Sequence, residues 1–157
     1  MLHRIILIYS LSLAFFGGIL TGVNPYFPYY CIIKLQWTQY WCDISRSILM
    51  SIGLFLGLVL PLIIFYSQGR KIDLRIQYKN VILSLYLGAL LGGYIGRLIG
   101  TTAIFSLIGI GDLFRQLPAL ALNWIYPHIL GTLDSLFISF TAISVGYFRK
   151  RGATPST

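Results

Sequence analysis

The chain contains no glutamate. Its acids are four aspartates, Asp43, Asp73, Asp112 and Asp134, against twelve lysines and arginines in 157 residues, for a formal net charge of +8. Charged residues make up only 10% of the sequence, where a soluble domain carries about 25%. So sparse a polar surface excludes an ordinary soluble globule and suits a hydrocarbon solvent. The shortage of acids leaves few candidates for acid–base catalysis and offers no paired carboxylates. Two histidines, His3 and His128, and two cysteines, Cys31 and Cys42, are too few and too scattered for a Cys/His metal cluster, so neither a metal nor a cofactor is expected. The positive charge falls in short clusters between apolar runs rather than along one face, which argues against nucleic acid as a partner.

What is present is apolar sequence, 57% of the chain. Four stretches, near 5–23, 48–66, 81–100 and 129–148, reach the roughly 20 residues that a helix needs to cross about 30 Å of hydrocarbon. Backbone groups in lipid must satisfy one another, so runs this apolar are expected to be helical. The first run has the basic start of a signal peptide but is longer than a usual signal core, so it is expected to stay as a span. The expectation is therefore an all-α, polytopic integral membrane protein: one domain over 1–157, a bundle of four transmembrane helices.

Lysine and arginine set the orientation. Arg4, Arg70, Lys71, Arg75, Lys79, Arg149, Lys150 and Arg151 fall on the side of the termini, against Lys34, Arg46 and Arg115 on the other. Eight against three predicts both termini in the cytoplasm of a multi-pass cell-membrane protein. The basic clusters could also grip anionic headgroups.

Two segments belong to the opposite side. Residues 24–45 are crowded with Tyr26, Phe27, Tyr29, Tyr30, Trp37, Tyr40 and Trp41, rings suited to the membrane–water boundary. Cys31 and Cys42 share this loop, and outside the cytoplasm they are disulfide candidates; the alternative is two free thiols packed as small hydrophobes. Residues 101–127 are too apolar for a plain loop, yet are broken by GIGD, Arg115 and Pro118. They are read as an interfacial segment or as a re-entrant hairpin with residues 109–112 at its tip.

Small residues recur at helical spacing: Gly18 and Gly22, Gly53 and Gly57, and the series Gly88, Gly92, Gly96 and Gly100. Such grooves let helices approach closely, either within the bundle or between copies of the chain. A motif around Ser10–Gly18 recurs around Ser84–Gly93, as a duplicated helical hairpin would produce. Pro61 removes a helix hydrogen bond and is a candidate hinge.

Arg97 and Asp134 are the ionisable residues inside the spans, and spans three and four are consecutive. Placed at similar depth, they are expected to form an intramembrane ion pair, since each alone costs about 2.5–3.5 kcal/mol at mid-membrane. Ser135, Ser139, Thr141 and Ser144 make the fourth span the most polar and are candidate lining for a cavity. A polar group of Asp112, Arg115, Asn123 and His128 marks the outer surface. Two functions are compatible with these features. One is a structural or assembly subunit that self-associates or joins other membrane subunits in the bilayer. The other is a small transporter or channel built round Arg97 and Asp134.

Overall fold

The computed structural model describes residues 2–109 and 111–152; the side chains of residues 2, 3 and 112–114, and so of His3 and Asp112, lie outside that description. The described residues form helices joined by short turns: α1 (Leu2–Val23), α2 (Phe27–Ile33), α3 (Gln39–Leu54), a π-helical turn (Phe55–Val59), α4 (Leu60–Gly69), α5 (Leu74–Ile108) and α6 (Gly111–Gly152). Four stretches are long and apolar enough to cross a membrane: Arg4–Val23, Gln39–Gly69, Leu74–Ile108 and Arg115–Gly152.

Local chemistry explains the boundaries. Asp73 caps α5, its Oδ1 accepting the backbone N–H of Arg75 at 3.2 Å, which satisfies one of the free donors of a helix start. The same helix ends at Gly109, whose φ of 75° is left-handed, a conformation open to glycine at little cost. Pro61 has no N–H to offer the carbonyl of Gly57. The chain widens into the π turn just before it, and the Leu60 N–H donates to Phe55 O instead. A widened turn is a usual way for a helix to absorb such a mismatch.

Residues 101–127 are neither a flat interfacial segment nor a re-entrant dip. Residues 101–108 complete α5, and 111–127 open α6, with Pro118 and Pro127 inside that helix. At 1.5 Å per residue, helices of 35 and 42 residues run to about 52 and 63 Å, so this helical hairpin is longer than a bilayer core is thick.

The closest packing is between the parallel helices α1 and α5; the parallel pair α4 and α6 and the antiparallel hairpin of α5 and α6 follow, about equal to each other. In the first pair, a Cβ on Gly92, Gly96 or Gly100 would run into the carbonyl oxygen of Leu11, Phe15 or Ile19 respectively. From the other side, a Cβ on Gly18 or Gly22 would meet the Gly93 or Arg97 carbonyl, and one on Gly88 would come within 2.7 Å of Ser10 Cβ. Ser10 Oγ donates to Leu85 O at 2.8 Å and Thr101 Oγ1 to Gly22 O at 3.2 Å, holding the register at the two ends. In the second pair, Gly69 lies on the Ile143 carbonyl and Gly146 on that of Tyr66. The two stretches that share a sequence motif thus pack on each other, and Gly18 and Gly93 of that motif are in direct contact.

The buried core gathers Ile6, Phe65, Ile72, Val81, Ile143 and Tyr147 at the end that carries the termini and the basic clusters, here called the basic end. A smaller cluster at the opposite end seats Tyr26 and Tyr30 on Ile104, Phe105 and Ile108, with the Tyr26 and Phe105 rings edge to face at 4.7 Å. The aromatic loop therefore divides: these two tyrosines cap α5, whereas Tyr29, Trp37, Tyr40 and Trp41 are exposed.

Candidate functional site

The bundle is not closed all round. At the basic end α4 packs on α6, but beyond the π turn α3 leans away and has no substantial contact with α6. A cleft of about 610 Å³ opens between them, with α1 on one side and Ala89 and Gly93 of α5 as its floor. Leu49, Met50 and Leu54 of α3 and Leu58 of the π turn line one side, His128, Thr132, Ser135 and Ile138 of α6 the other, and Thr21 of α1 with Asn24 just beyond it the end far from the termini.

Six glycines line this space, and for four of them, Gly17, Gly53, Gly57 and Gly131, an added Cβ would meet nothing within 4 Å beyond its chain neighbours and its own helix backbone. Gly53 and Gly57 thus behave unlike the other small-xxx-small pairs: they face open space rather than a neighbouring helix. Of the four candidate lining residues Ser135, Ser139, Thr141 and Ser144, Ser135 alone lines the cleft, where it is joined by Thr132. Ser139 is buried elsewhere, Thr141 is exposed, and Ser144 Oγ donates back to Phe140 O at 2.8 Å.

His128 joins α5 to α6 at the cleft floor. Its Nε2 lies 2.9 Å from Leu90 O, and its ring lies against Gly93. One helical turn further from the basic end, the Arg97 guanidinium stacks on the buried Trp124 ring, 4.3 Å from its centroid. Tyr94 fixes the same register by donating its O–H to Ala121 O at 3.0 Å.

That register excludes the expected Arg97–Asp134 pair. Arg97 meets Trp124, and Asp134 lies ten residues further along α6, about 15 Å towards the basic end; it is exposed and makes no ion pair with Arg97. The expectation failed because residues 101–127 extend both helices rather than leaving the hairpin, so the fourth span starts well before residue 129. Arg97 Nε is buried with no hydrogen-bond partner. Nearby, burial pushes the Tyr26 phenol above its ordinary value, opposed by the Arg97 charge. Arg46 Nε donates to Asn24 Oδ1 at 3.4 Å, linking α3 to α1 across the same end of the cleft.

The cysteines are free thiols rather than a disulfide, both fully buried. They face each other between α2 and α3, and burial together with a hydrogen bond to Cys42 pushes the Cys31 thiol up to about 11. Among the described residues no three His, Cys, Asp or Glu side chains gather round a common point. The polar group proposed at the outer surface disperses: His128 faces the cleft while Arg115 and Asn123 are exposed.

Trp124, Gly17 and Gly131 are site residues that sequence reasoning passed over. Trp124 and His128 are four residues apart, as are Gly93 and Arg97, so the two rungs of the α5–α6 contact were present as matched i, i+4 pairs. Compared with protein-family models, with curated proteins and with solved structures, the chain matches none.

Proposed function

We propose that this chain is a structural or assembly subunit of a cell membrane, inserted with both termini in the cytoplasm and associating with a second copy through its second span. The observation that carries this reading is the incomplete bundle. The second span is the least buried of the four, and α3 lacks a partner on the α6 side. Away from the cleft, Ile48, Ile52, Phe55 and Val59 are exposed at the spacing of one helix face. Two such faces can meet isologously about a two-fold axis. No charged residue interrupts the span between Arg46 and Arg70, so two copies would meet there without opposing like charges. A transporter centred on Arg97 and Asp134 finds no comparable support, because these residues are far apart and the α4–α6 contact closes the cleft at the basic end.

The test is the molar mass of the full chain in mild detergent and in nanodiscs. A dimer is expected, and Ile52→Ala with Phe55→Ala should weaken it about tenfold. A monomer at micromolar concentration in both media would overturn the reading.

A further inference from the structure

A second cavity lies at the basic end, away from the cleft. Lys71, Ile72 and Asp73 of the turn between α4 and α5, with Tyr147, Lys150 and Arg151 of the last turns of α6, line a space of about 350 Å³. That volume falls within the range of small-ligand sites, roughly 300–1,000 Å³. Ile72 and Tyr147 are buried members of the core at this end, while the four charged residues are exposed. The cavity thus has an apolar back and a charged rim.

Asp73 is the one acid in the lining, and its carboxylate is committed to holding the walls. Its Oδ1 accepts the Arg75 N–H at 3.2 Å and the Tyr147 O–H at 3.3 Å, and lies 3.8 Å from Arg151 Nη2. The Arg151 guanidinium also lies over the Tyr147 ring, 4.8 Å from its centroid. These contacts tie the start of α5 to the end of α6 and fix Arg151 at the rim.

The balance of charge is left uneven. Three cations against one carboxylate give the lining a net +2. Lys71 and Lys150 make no ion pair or side-chain hydrogen bond. The other described aspartates are too far to serve them: Asp43 is on α3 at the opposite end, and Asp134 lies about 20 Å along α6 from Tyr147. A merely solvated basic surface would spread its cations apart, since like charges held together repel. Here cations from two elements converge on one cavity, where an anion would offset that repulsion.

Position says which anion is at hand. Two charge-free runs, 47–69 and 135–148, end immediately before Arg70–Lys71 and Arg149–Arg151. With those runs in hydrocarbon, the cavity stands at the level of the headgroups. We propose that it binds the phosphate of an anionic phospholipid, with the Lys71 and Lys150 ammonium groups and the Arg151 guanidinium as donors. Charge-assisted bonds from such groups to phosphate oxygens are among the stronger ones available to them. The site takes as its premise that the four spans lie in a bilayer. It does not depend on the proposed dimer or on which face of the membrane the basic end occupies.

The test is native mass spectrometry of the full chain released from nanodiscs that mix phosphatidylglycerol and phosphatidylcholine of the same acyl chains. Phosphatidylglycerol should be retained in preference, by about tenfold. Lys71→Gln with Lys150→Gln, both at exposed positions, should fold normally and abolish most of that preference. Arg75→Gln with Lys79→Gln removes the same charge from the same end but outside the cavity, and should leave the preference nearly intact. Equal losses in the two double variants would overturn the proposal in favour of a diffuse basic surface. Equal retention of the two lipids by the natural chain would also overturn it. Displacement of phosphatidylglycerol by millimolar inorganic phosphate would assign the cavity to a soluble phosphate and overturn the lipid. A chain that fails to enter nanodiscs would overturn the membrane premise, and the proposal with it. The same spectra count the chains in each particle, so failure of the proposed dimer is read separately from loss of the lipid.

Discussion

A thiolate is the reactive form of cysteine, so the surroundings of Cys31 translate directly into chemistry. Its side chain is fully buried and hydrogen-bonded to Cys42, and both conditions favour the neutral thiol. With the thiol pushed from an ordinary 9.0 to about 11, alkylation of Cys31 in the folded protein should be slow near pH 8. It should then quicken with each pH unit until about 11. The sign for stability follows from linkage: the folded state holds this proton more tightly than the unfolded state. The contribution is therefore complete below pH 9 and is lost as pH rises through about 11. Mass-resolved iodoacetamide labelling between pH 7 and 10.5 reads the effect; rapid, pH-independent labelling of the native protein would refute it. The same residue shows how far sequence could go. The shared loop and side of Cys31 and Cys42 were legible from spacing, and the two do come together. Whether they bond depends on side-chain geometry and redox compartment, which spacing does not encode.

Helix pairs obey a sharper rule than the glycine count suggests. Gly96 and Gly53 both belong to GxxxG pairs, yet a Cβ at Gly96 would enter the Phe15 carbonyl whereas one at Gly53 meets nothing. Gly96→Val should destabilise the fold by about 1–3 kcal/mol, the usual cost of overpacking. Gly53→Ala should be neutral or stabilising by up to about 1 kcal/mol, because alanine is the better helix former. Thermal unfolding in one detergent compares the two, and equal losses would mean that the α1–α5 contact is not the close one described. In sequence the series 88-92-96-100 was legible as a packing groove because packing leaves a period. Which glycines are occupied was not legible, since that depends on the splay of α3 beyond the π turn. Element length failed for a related reason. Residues 101–108 and 111–127 are each too short to span alone, and Gly109 to Gly111 reads as an interruption. Joined to their neighbours, they become the ends of two helices longer than a bilayer needs.

The molecule as a whole is electrically lopsided, and its fold makes that asymmetry spatial. Ile6, Ile72 and Tyr147 share one core, so the clusters round Arg4, Arg70, Lys71 and Arg149–Arg151 lie at one end. Asp73 holds that end together: it caps α5, accepts from Tyr147 Oη at 3.3 Å and lies 3.8 Å from Arg151. A bundle whose four spans alternate in direction has two insertions open to it, related by inversion across the bilayer, and packing energy does not choose between them. Loop lysines and arginines do, because short positive loops resist translocation. The turn between α4 and the apolar part of α5 carries Arg70, Lys71, Arg75 and Lys79, half of the eight cations on that side. Replacing these four with glutamine leaves four basic-end cations against three opposite, and the bias nearly vanishes. A reporter active only in the cytoplasm, fused after Thr157, should be fully active on the natural sequence and fall to a mixed signal on the quadruple variant. The buried contacts between α1 and α5 remain intact in that variant, so the chains that insert either way should still fold and resist protease alike. A reporter active outside the cytoplasm when fused to the natural sequence would reverse the assignment, and would place the Asn24 end of the cleft in the inner leaflet.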